Sequence, residues 1–468
     1  MGSAPIAYGG YKRTVGEFPE LVQLNMLAEK APSQQEKQVA LIMRPALKNW
    51  VEIDAPLRGI FRKSGLFDGD ALVVAAQTVY RLAENGTVTA LSGSVPGDGR
   101  VKIDGGLDGD GNALARIVTG GQLYQTDGVT VTAENFPDVD NAGCTDICYH
   151  RQHWLGIQAG TDKVYLQLPG DTTWDPLTYA SAESQPDVAL AVRSLGDQVW
   201  ILGAASSEAW ALTGNPDDPI TPYGGLNFGF GIRSSEAAVS IPGALLWIDN
   251  NATVRMTQGG APEIVSDNGL AEQIRKVPSD ELRAWGFTFD QHPVALFTLS
   301  TASSWAFDLS TRLWSRFSSA GMNIFAGHLG CDVSGSVYAL SAELGSSQVF
   351  RFDADLLTDD DGEIPIEWTC VIESPEGRRT VPVVEVIGSV GFVPRTGDGS
   401  APVMQMRISR DQGKTFGNWR TEPMPVTGDF AGRVRFRQCG QITPPYGWIM
   451  QFRMTDPVVR RVTDVRLP

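Results

Sequence analysis

Three groups of side chains in this 468-residue chain have the types and spacings that chemistry requires. The first is Ser409, Asp411, Gly413, Thr415 and Phe416, which follow the S-x-D-x-G-x-T-aromatic spacing of an Asp box. In such a hairpin the Asp and Ser side chains hydrogen-bond the turn backbone, Gly takes the left-handed backbone, and the ring plugs the hairpin base. That is turn-stabilising chemistry, found in sialidases and many other proteins, and it is not catalytic. A glycosidase needs paired carboxylates across a cleft, and the sequence shows no such constellation. The second group is Cys144, Cys148, His150 and His153. Tetrahedral zinc needs four converging ligands, whereas strand alternation sends Cys148 and His150 to one face and His153 to the other. The third is acidic. Asp108, Asp110 and Asn112 alternate like the opening of a calcium loop, but no Glu stands at its twelfth position; Asp359–Asp361 is similar. Solvated turns are expected at both. His292 and His328 have no evident partner. No nucleophile elbow, phosphate loop or dinucleotide fingerprint is present, since the glycines fall in β-turn contexts. The expectation is a non-enzyme with no catalytic, cofactor-binding or metal-binding residues.

The elements that carry these residues read as strands. Residues 179–214 hold three short apolar runs, Val188–Val192, Val199–Leu202 and Ala209–Leu212, separated by turn-prone segments. A sheet that small cannot bury its own faces and needs neighbours built the same way. Similar units recur at 71–93, 112–132, 146–168, 188–214, 237–260, 284–317 and 325–353. Equivalent anchors are Tyr80, Tyr124, Tyr165, Trp210, Arg255, Trp305 and Phe350, spaced by 44, 41, 45, 45, 50 and 45 residues. A period in the mid-forties with several strands per unit matches a β-propeller blade, whose radial packing buries both faces and leaves short edges. The spacing predicts an all-β protein with a six- or seven-bladed propeller over residues 61–355. Leu270, Ile274 and Val277, stopped by Pro278, predict a short helix between two units. Residues 1–60 lack a sustained period and are expected to form an extended arm on a neighbouring surface. An acidic linker at 356–363 then leads to a C-terminal β-sandwich at 364–468.

Charge narrows the function further. The chain has 38 basic and 54 acidic residues, a net charge of −16. From Ile364 onward there are 14 basic and 10 acidic residues, or +4, which leaves 24 and 44, or −20, before it. An acidic body repels phosphates and argues against nucleic-acid binding as the main activity. Of the 14 C-terminal cations 13 are arginine, which suits an interface. Five cysteines are too few and too odd in number for a disulfide framework. No apolar run reaches the roughly 20 residues that span a bilayer, so no membrane insertion is expected.

Ala182 to Asp187 (with Glu183, Ser184, Gln185 and Pro186 between them), the strand pair after it and Ala209–Gly214 together resemble the tail hub proteins of short-tailed phages. This is the packaged-DNA stabilisation, or tail nozzle, family. Leu24–Glu29, Thr78–Leu82, Glu272–Arg275 and Ser279–Leu282 add matching pieces in the right order, so the likeness spans roughly residues 20 to 320. The C-terminal domain departs from the family pattern. The resemblance implies a virion component made in the host cytoplasm: a ring, hexameric in expectation, below the portal and its adaptor. Such a ring would continue the DNA channel, retain the genome, and receive the needle or plug and the tail fibres or spikes. DNA would pass through it without specific binding. The alternative is a carbohydrate-binding or sialidase-like propeller acting on host glycans, suggested by the Asp box and twelve tryptophans.

Overall fold

Turn chemistry and strand alternation divide the chain into short antiparallel ladders. The computed structural model describes every residue except 1, 13–19, 31–38, 138–139, 141, 183–185, 342–344, 361 and 468. Among the described residues seven four-stranded antiparallel units follow one another. Blade 1 runs from Leu57–Phe61 to Val88–Ala90, blade 2 from Lys102–Leu107 to Val131–Glu134, and blade 3 from Cys144–His150 to Tyr179–Ser181. Blade 4 runs from Ala189–Leu195 to Ile220–Phe228, blade 5 from Ala238–Ile241 to Glu263–Ile264, and blade 6 from Leu282–Phe289 to Leu313–Phe317. Blade 7 comprises Gly327–Val333, Ser336–Ser341 and Gln348–Asp353, and takes its fourth strand, Ala46–Glu52, from near the N-terminus. The first strand of each blade packs on the first strand of the next, and Gly327–Val333 returns to Leu57–Phe61, closing the ring. All seven sequence anchors lie on third strands.

The ring holds together through seven separate apolar clusters, one in each gap between blades. Leu155 and Ile157 of blade 3 meet Val199 and Ile201 of blade 4, for example, and Trp200 and Leu202 meet Leu245 and Trp247 of blade 5. Apolar residues on both faces of the middle strands follow from this, because each sheet is buried on both sides. The helix Asn268–Arg275 lies between blades 5 and 6, capped by Asp267 Oδ1, which accepts from Leu270 N at 2.7 Å. Its Leu270, Ala271 and Ile274 are buried. Among the described residues no helix is long and apolar enough to cross a membrane.

The C-terminal module is two packed sheets. One has the order Met26–Lys30, Val39–Met43, Arg461–Leu467, Arg379–Gly388, Val434–Ile442, with Gly2–Ala4 also pairing on Arg461–Leu467. The other holds Ile366–Ile372, Trp448–Met454, Val403–Ser409 and Arg420–Pro423. Gln23–Leu24 joins this second sheet to blade 6, with Leu24 beside Glu367 on one side and Arg316 on the other. Trp368, Met406, Phe436, Met450 and Phe452 fill the space between the sheets.

Residues 1–60 therefore correct the expectation of an arm. Their described parts form strands of the sandwich, the outer strand of blade 7 and the first strand of blade 1, all on their own chain. The ladder partners of Gly2–Ala4, Gln23–Leu24 and Ala46–Glu52, and the second partner of Val39–Met43, lie hundreds of residues away, so local pattern could not reveal them. The 356–363 segment is likewise more than a solvated linker. Asp359 is buried and forms a bidentate ion pair with fully buried Arg44, Nη1–Oδ1 2.9 Å and Nη2–Oδ2 2.7 Å. Asp361 lies outside the described residues.

Blade 6 contains a pH-dependent contact. His292 Nδ1 lies 2.9 Å from Asp308 Oδ2, with both side chains buried. The hydrogen bond to Asp308 raises the histidine's pKa against the opposing effect of burial. A raised folded-state value means the contribution is complete below the ordinary histidine range, near 6.5, and is lost as pH rises through the folded value. The denaturant midpoint should fall as pH rises above the ordinary histidine range, near 6.5. His292→Gln should flatten that slope and cost roughly 1–3 kcal/mol at pH 6.

Candidate functional site

The Asp box sits on the hairpin joining Val403–Ser409 to Arg420–Pro423 in the sandwich. Asp411 Oδ1 accepts from Ser409 Oγ at 2.8 Å and Thr415 N at 2.9 Å, and Oδ2 accepts from Thr415 Oγ1 at 2.6 Å. Ser409 Oγ in turn accepts from Gly413 N at 2.8 Å, with Gly413 at a φ of 82°. The Thr415 bonds come first in holding the Asp411 carboxyl down to about 2. All its strong acceptor positions serve the turn. Phe416 is half-buried, and the guanidinium of Arg407, on the hairpin's own first strand, lies 4.6 Å from its ring centre.

This places the box beside a polar face of the second sheet. Met404, Met406, Met450 and Phe452 point into the sandwich, so alternation turns half-buried Gln405, Arg407 and Arg453, and buried Gln451 between them, to the other face of the sheet. Trp419 lies 4.5 Å from Arg407 and 4.1 Å from Arg453, stacked against both guanidinium groups. Arg407 Nε donates to Gln451 Oε1 at 2.7 Å and Arg453 Nε to Gln405 Oε1 at 2.6 Å. Neighbouring Glu367 has its pKa raised by burial, opposed by Arg407, Arg453 and Arg316. The arrangement presents planar donors and an aromatic surface, suited to contact with another macromolecule.

The cysteine and histidine group does not assemble. Cys144 and Cys148 are buried thiols whose pKa values burial pushes up. Ladder register pairs His150 with His153, so they share a face, contrary to expectation; the reason is a two-residue turn at Arg151 and Gln152, with φ of 45° and 68°. Even so they diverge: His150 Nδ1 meets Ser194 Oγ at 2.7 Å, and His153 Nδ1 meets Arg151 O at 2.9 Å. Burial lowers the His150 pKa to about 4, so the ring is neutral at pH 7. Among the described residues no group of three acidic, histidine or cysteine side chains could hold a metal ion. Asp108 serves its own turn: Oδ1 accepts from Asp110 N at 3.0 Å and Asn112 N at 2.7 Å. Asp359 is occupied by Arg44.

Of the family-like segment, Glu183, Ser184 and Gln185 lie outside the described residues. Asp187, next to Pro186, fastens the turn of blade 4: its oxygens accept from Ala205 N at 2.5 Å, Ser206 N at 2.9 Å and Ser206 Oγ at 2.8 Å. A Cβ on Gly203 would stand 2.5 Å from Asp187 Oδ2, so this fastening requires glycine there.

The centre of the ring holds charged residues that the apolar pattern did not reveal. A cavity of about 380 Å³ is lined by residues on or next to the first strands, among them Lys63, Lys102, Asp104, Asp146, Arg193 and Glu236. Most of these join one blade to the next. Lys63 Nζ donates to Gly105 O (2.7 Å), Lys102 Nζ to Thr145 O (2.8 Å) and Arg193 Nη2 to Ser235 O (3.0 Å). Asp104 Oδ2 accepts from Tyr149 N (2.7 Å), Asp146 Oδ2 from Val192 N (3.0 Å) and Asp332 Oδ2 from Thr288 N (2.7 Å). The available signal was a charged residue recurring near the blade spacing at Lys63, Asp104, Asp146 and Arg193. These contacts are structural, and nothing in them resembles a nucleophile aligned with a base.

A family model described as "Bacteriophage P22 Gp10, beta-propeller" matches residues 3–324, which take in the N-terminal strands and blades 1 to 6. No curated protein matches the chain significantly. Among solved structures, YCF48 from Cyanidioschyzon merolae is 12% identical, with a TM-score of 0.41 over 66% of this chain and 98% of its own. BBS1N in complex with ARL6DN is 11% identical, with a TM-score of 0.43 over 67% and 99%. The computationally designed Ika8 protein is 8% identical, with a TM-score of 0.40 over 66% and 99%. At those scores the structural likenesses carry no argument.

Proposed function

Because this chain belongs to a phage family of packaged-DNA stabilisation β-propellers, we propose that it is the tail hub, or nozzle, of a short-tailed phage. In this reading it is a structural protein without enzyme activity, built into the tail of the virion as a homo-oligomeric ring, hexameric by expectation. The ring extends the DNA channel below the portal and adaptor, retains the packaged genome, and docks the needle or plug and the fibres or spikes. The single observation that carries the reading is the family match over 3–324.

Physical features support it. Most charged side chains lining the ring centre join one blade to the next, and the Asp box serves its own turn. The charge of −20 before Ile364 suits a surface along which DNA slides without adhering. The cation-rich sandwich, with Arg407, Trp419 and Arg453 outward, is suited to protein contacts. A ring of such subunits uses heterologous, closing interfaces. Infection with phage unable to make this chain tests the role. Heads should fill and then lose DNA, seen as a fall in the full-head fraction and nuclease-accessible genome. Stable full heads would contradict it.

The Arg407–Trp419–Arg453 face also favours a second reading, binding of host-surface glycans. A glycan array that lights up with the intact chain, and goes dark with Trp419→Ala, would promote this reading; a blank array would retire it.

A further inference from the structure

We propose that the C-terminal sandwich of one copy of this chain docks on the outer rim of blades 2 and 3 of the next copy. The inference rests on the ring-forming reading above and names the two surfaces that meet. Among the described residues the five most exposed large apolar side chains fall in two places. On the propeller Leu177 is 83% exposed and Val129 64%; on the sandwich Phe430 is 62%, Val426 61% and Phe392 59%. Apolar side chains scattered singly over a surface are ordinary, whereas grouped ones mark a contact.

Leu177 and Val129 occupy equivalent positions. Each lies in the connection between the third and fourth strands of its blade, Lys163–Gln167 to Tyr179–Ser181 in blade 3 and Gln122–Thr126 to Val131–Glu134 in blade 2. Neighbouring blades thus bring both to the same end of the outer edge. Each is held there by the aspartate two residues before it: Asp175 Oδ1 accepts from Leu177 N and Asp127 Oδ1 from Val129 N, both at 2.9 Å. Half-exposed Tyr179, its ring 5.4 Å from that of Tyr165, extends the surface.

The sandwich patch is equally well supported. Phe392 and Phe430 come from the connections 389–402 and 424–433, with ring centres 5.1 Å apart. Thr427 Oγ1 donates to Val393 O at 2.5 Å and Gly428 N to Gly391 O at 3.2 Å, which stitches the two connections together. Gly391 has a φ of 83°, and a Cβ there would stand 2.8 Å from Phe430 Cδ1, so the ring lies over bare backbone. Aromatic side chains fixed in advance lose little freedom when a partner covers them.

Both patches are exposed in the same chain, so neither covers the other. The sandwich joins the ring at blade 6, through Leu24 beside Arg316, and blades 2 and 3 stand three places from blade 6 in either direction. Charge favours their meeting between copies. Residues 102–181 hold 11 acidic and 4 basic residues, or −7, against +4 from Ile364 onward. Opposite charge steers the encounter and the apolar side chains seat it. A contact between two different surfaces of one chain is heterologous, the kind that closes into a ring.

The test uses the full chain, alone and on the adaptor ring of the same phage. Chains carrying Leu177→Cys and chains carrying Phe430→Cys are mixed and treated with a short bis-maleimide. Cross-linked dimer should form in the mixture at about tenfold or more above the level in either variant alone or in the native chain, four of whose five cysteines are buried. Leu177→Glu and Phe430→Glu change exposed side chains, so each should keep the native Tm while weakening assembly by about tenfold or more. Rings that form normally in both glutamate variants, with no mixed cross-link, would assign the patches to other virion proteins; that result overturns the proposal and leaves the ring reading standing. A native chain that stays monomeric in both settings would overturn both.

Discussion

Replacing Arg44 by Met should destabilise the protein by about 3–5 kcal/mol, the usual cost of removing one partner from a buried ion pair. Arg44 is fully buried, and every branch of its guanidinium is engaged. Nε donates to Asn25 Oδ1 (3.0 Å), Nη1 to Pro45 O (2.8 Å) and Asp359, and Nη2 to Ser318 O (3.0 Å) and Asp359. Asp359 Oδ1 also accepts from Leu47 N at 2.8 Å, and Asn25 Nδ2 donates to Pro365 O at 2.7 Å. The cluster ties the N-terminal strands, the end of blade 6, the connector and the sandwich at one point. Removing the cation leaves the Asp359 carboxylate buried with one amide donor. Arg44→Lys should fail to rescue, because an ammonium cannot satisfy both carboxylate oxygens and the carbonyls together. Asp359→Asn should recover part of the loss in the Arg44→Met background. A double-mutant cycle in urea reads this directly; additive effects of the two substitutions would show that the pair is not coupled.

Deleting residues 1–53 should abolish cooperative folding. The deletion removes the outer strand of blade 7 and four strands of the sandwich sheets, Gly2–Ala4, Gln23–Leu24, Met26–Lys30 and Val39–Met43. With them go Met26, Leu27, Leu41, Leu47, Val51 and Ile53, all buried. At about 1.5–3 kcal/mol each, their burial is worth on the order of 10 kcal/mol. That is comparable to the 5–15 kcal/mol that typically separates folded from unfolded domains. Blade 7 would also expose the ladder edge of Gln348–Asp353, an invitation to aggregate. The expected result is loss of the unfolding transition and of soluble yield. A truncated chain with an unchanged urea midpoint and slope would show that ring closure does not depend on the N-terminal strand.

These two sites mark where sequence reasoning ran out. Tyr80, Tyr124, Tyr165, Trp210, Arg255, Trp305 and Phe350 were legible as a period because each blade rebuilds its third strand locally. Ala46–Glu52 was not, because a closing strand is defined by a partner some three hundred residues on, and its own Lys48-Asn49 interruption weakens the alternation. The turn at Asp290 and Gln291, with φ of 46° and 68°, carries no Asn-Gly signature either. Among candidate site residues, the Asp-box spacing specified a local hydrogen-bond pattern, so Ser409, Asp411 and Thr415 were readable. The Arg407 guanidinium over the Phe416 ring was not, because the spacing names the ring and not the strand residue that faces it. The charges at the ring centre were visible individually, but their convergence depends on how seven sheets meet.

The measurement closest to the central claim is the mass of the purified chain by native mass spectrometry, alone and then mixed with the adaptor ring of the same phage. A tail nozzle predicts a hexamer, or a hexamer that forms only on the adaptor. A chain that stays monomeric at high concentration under both conditions would contradict the account.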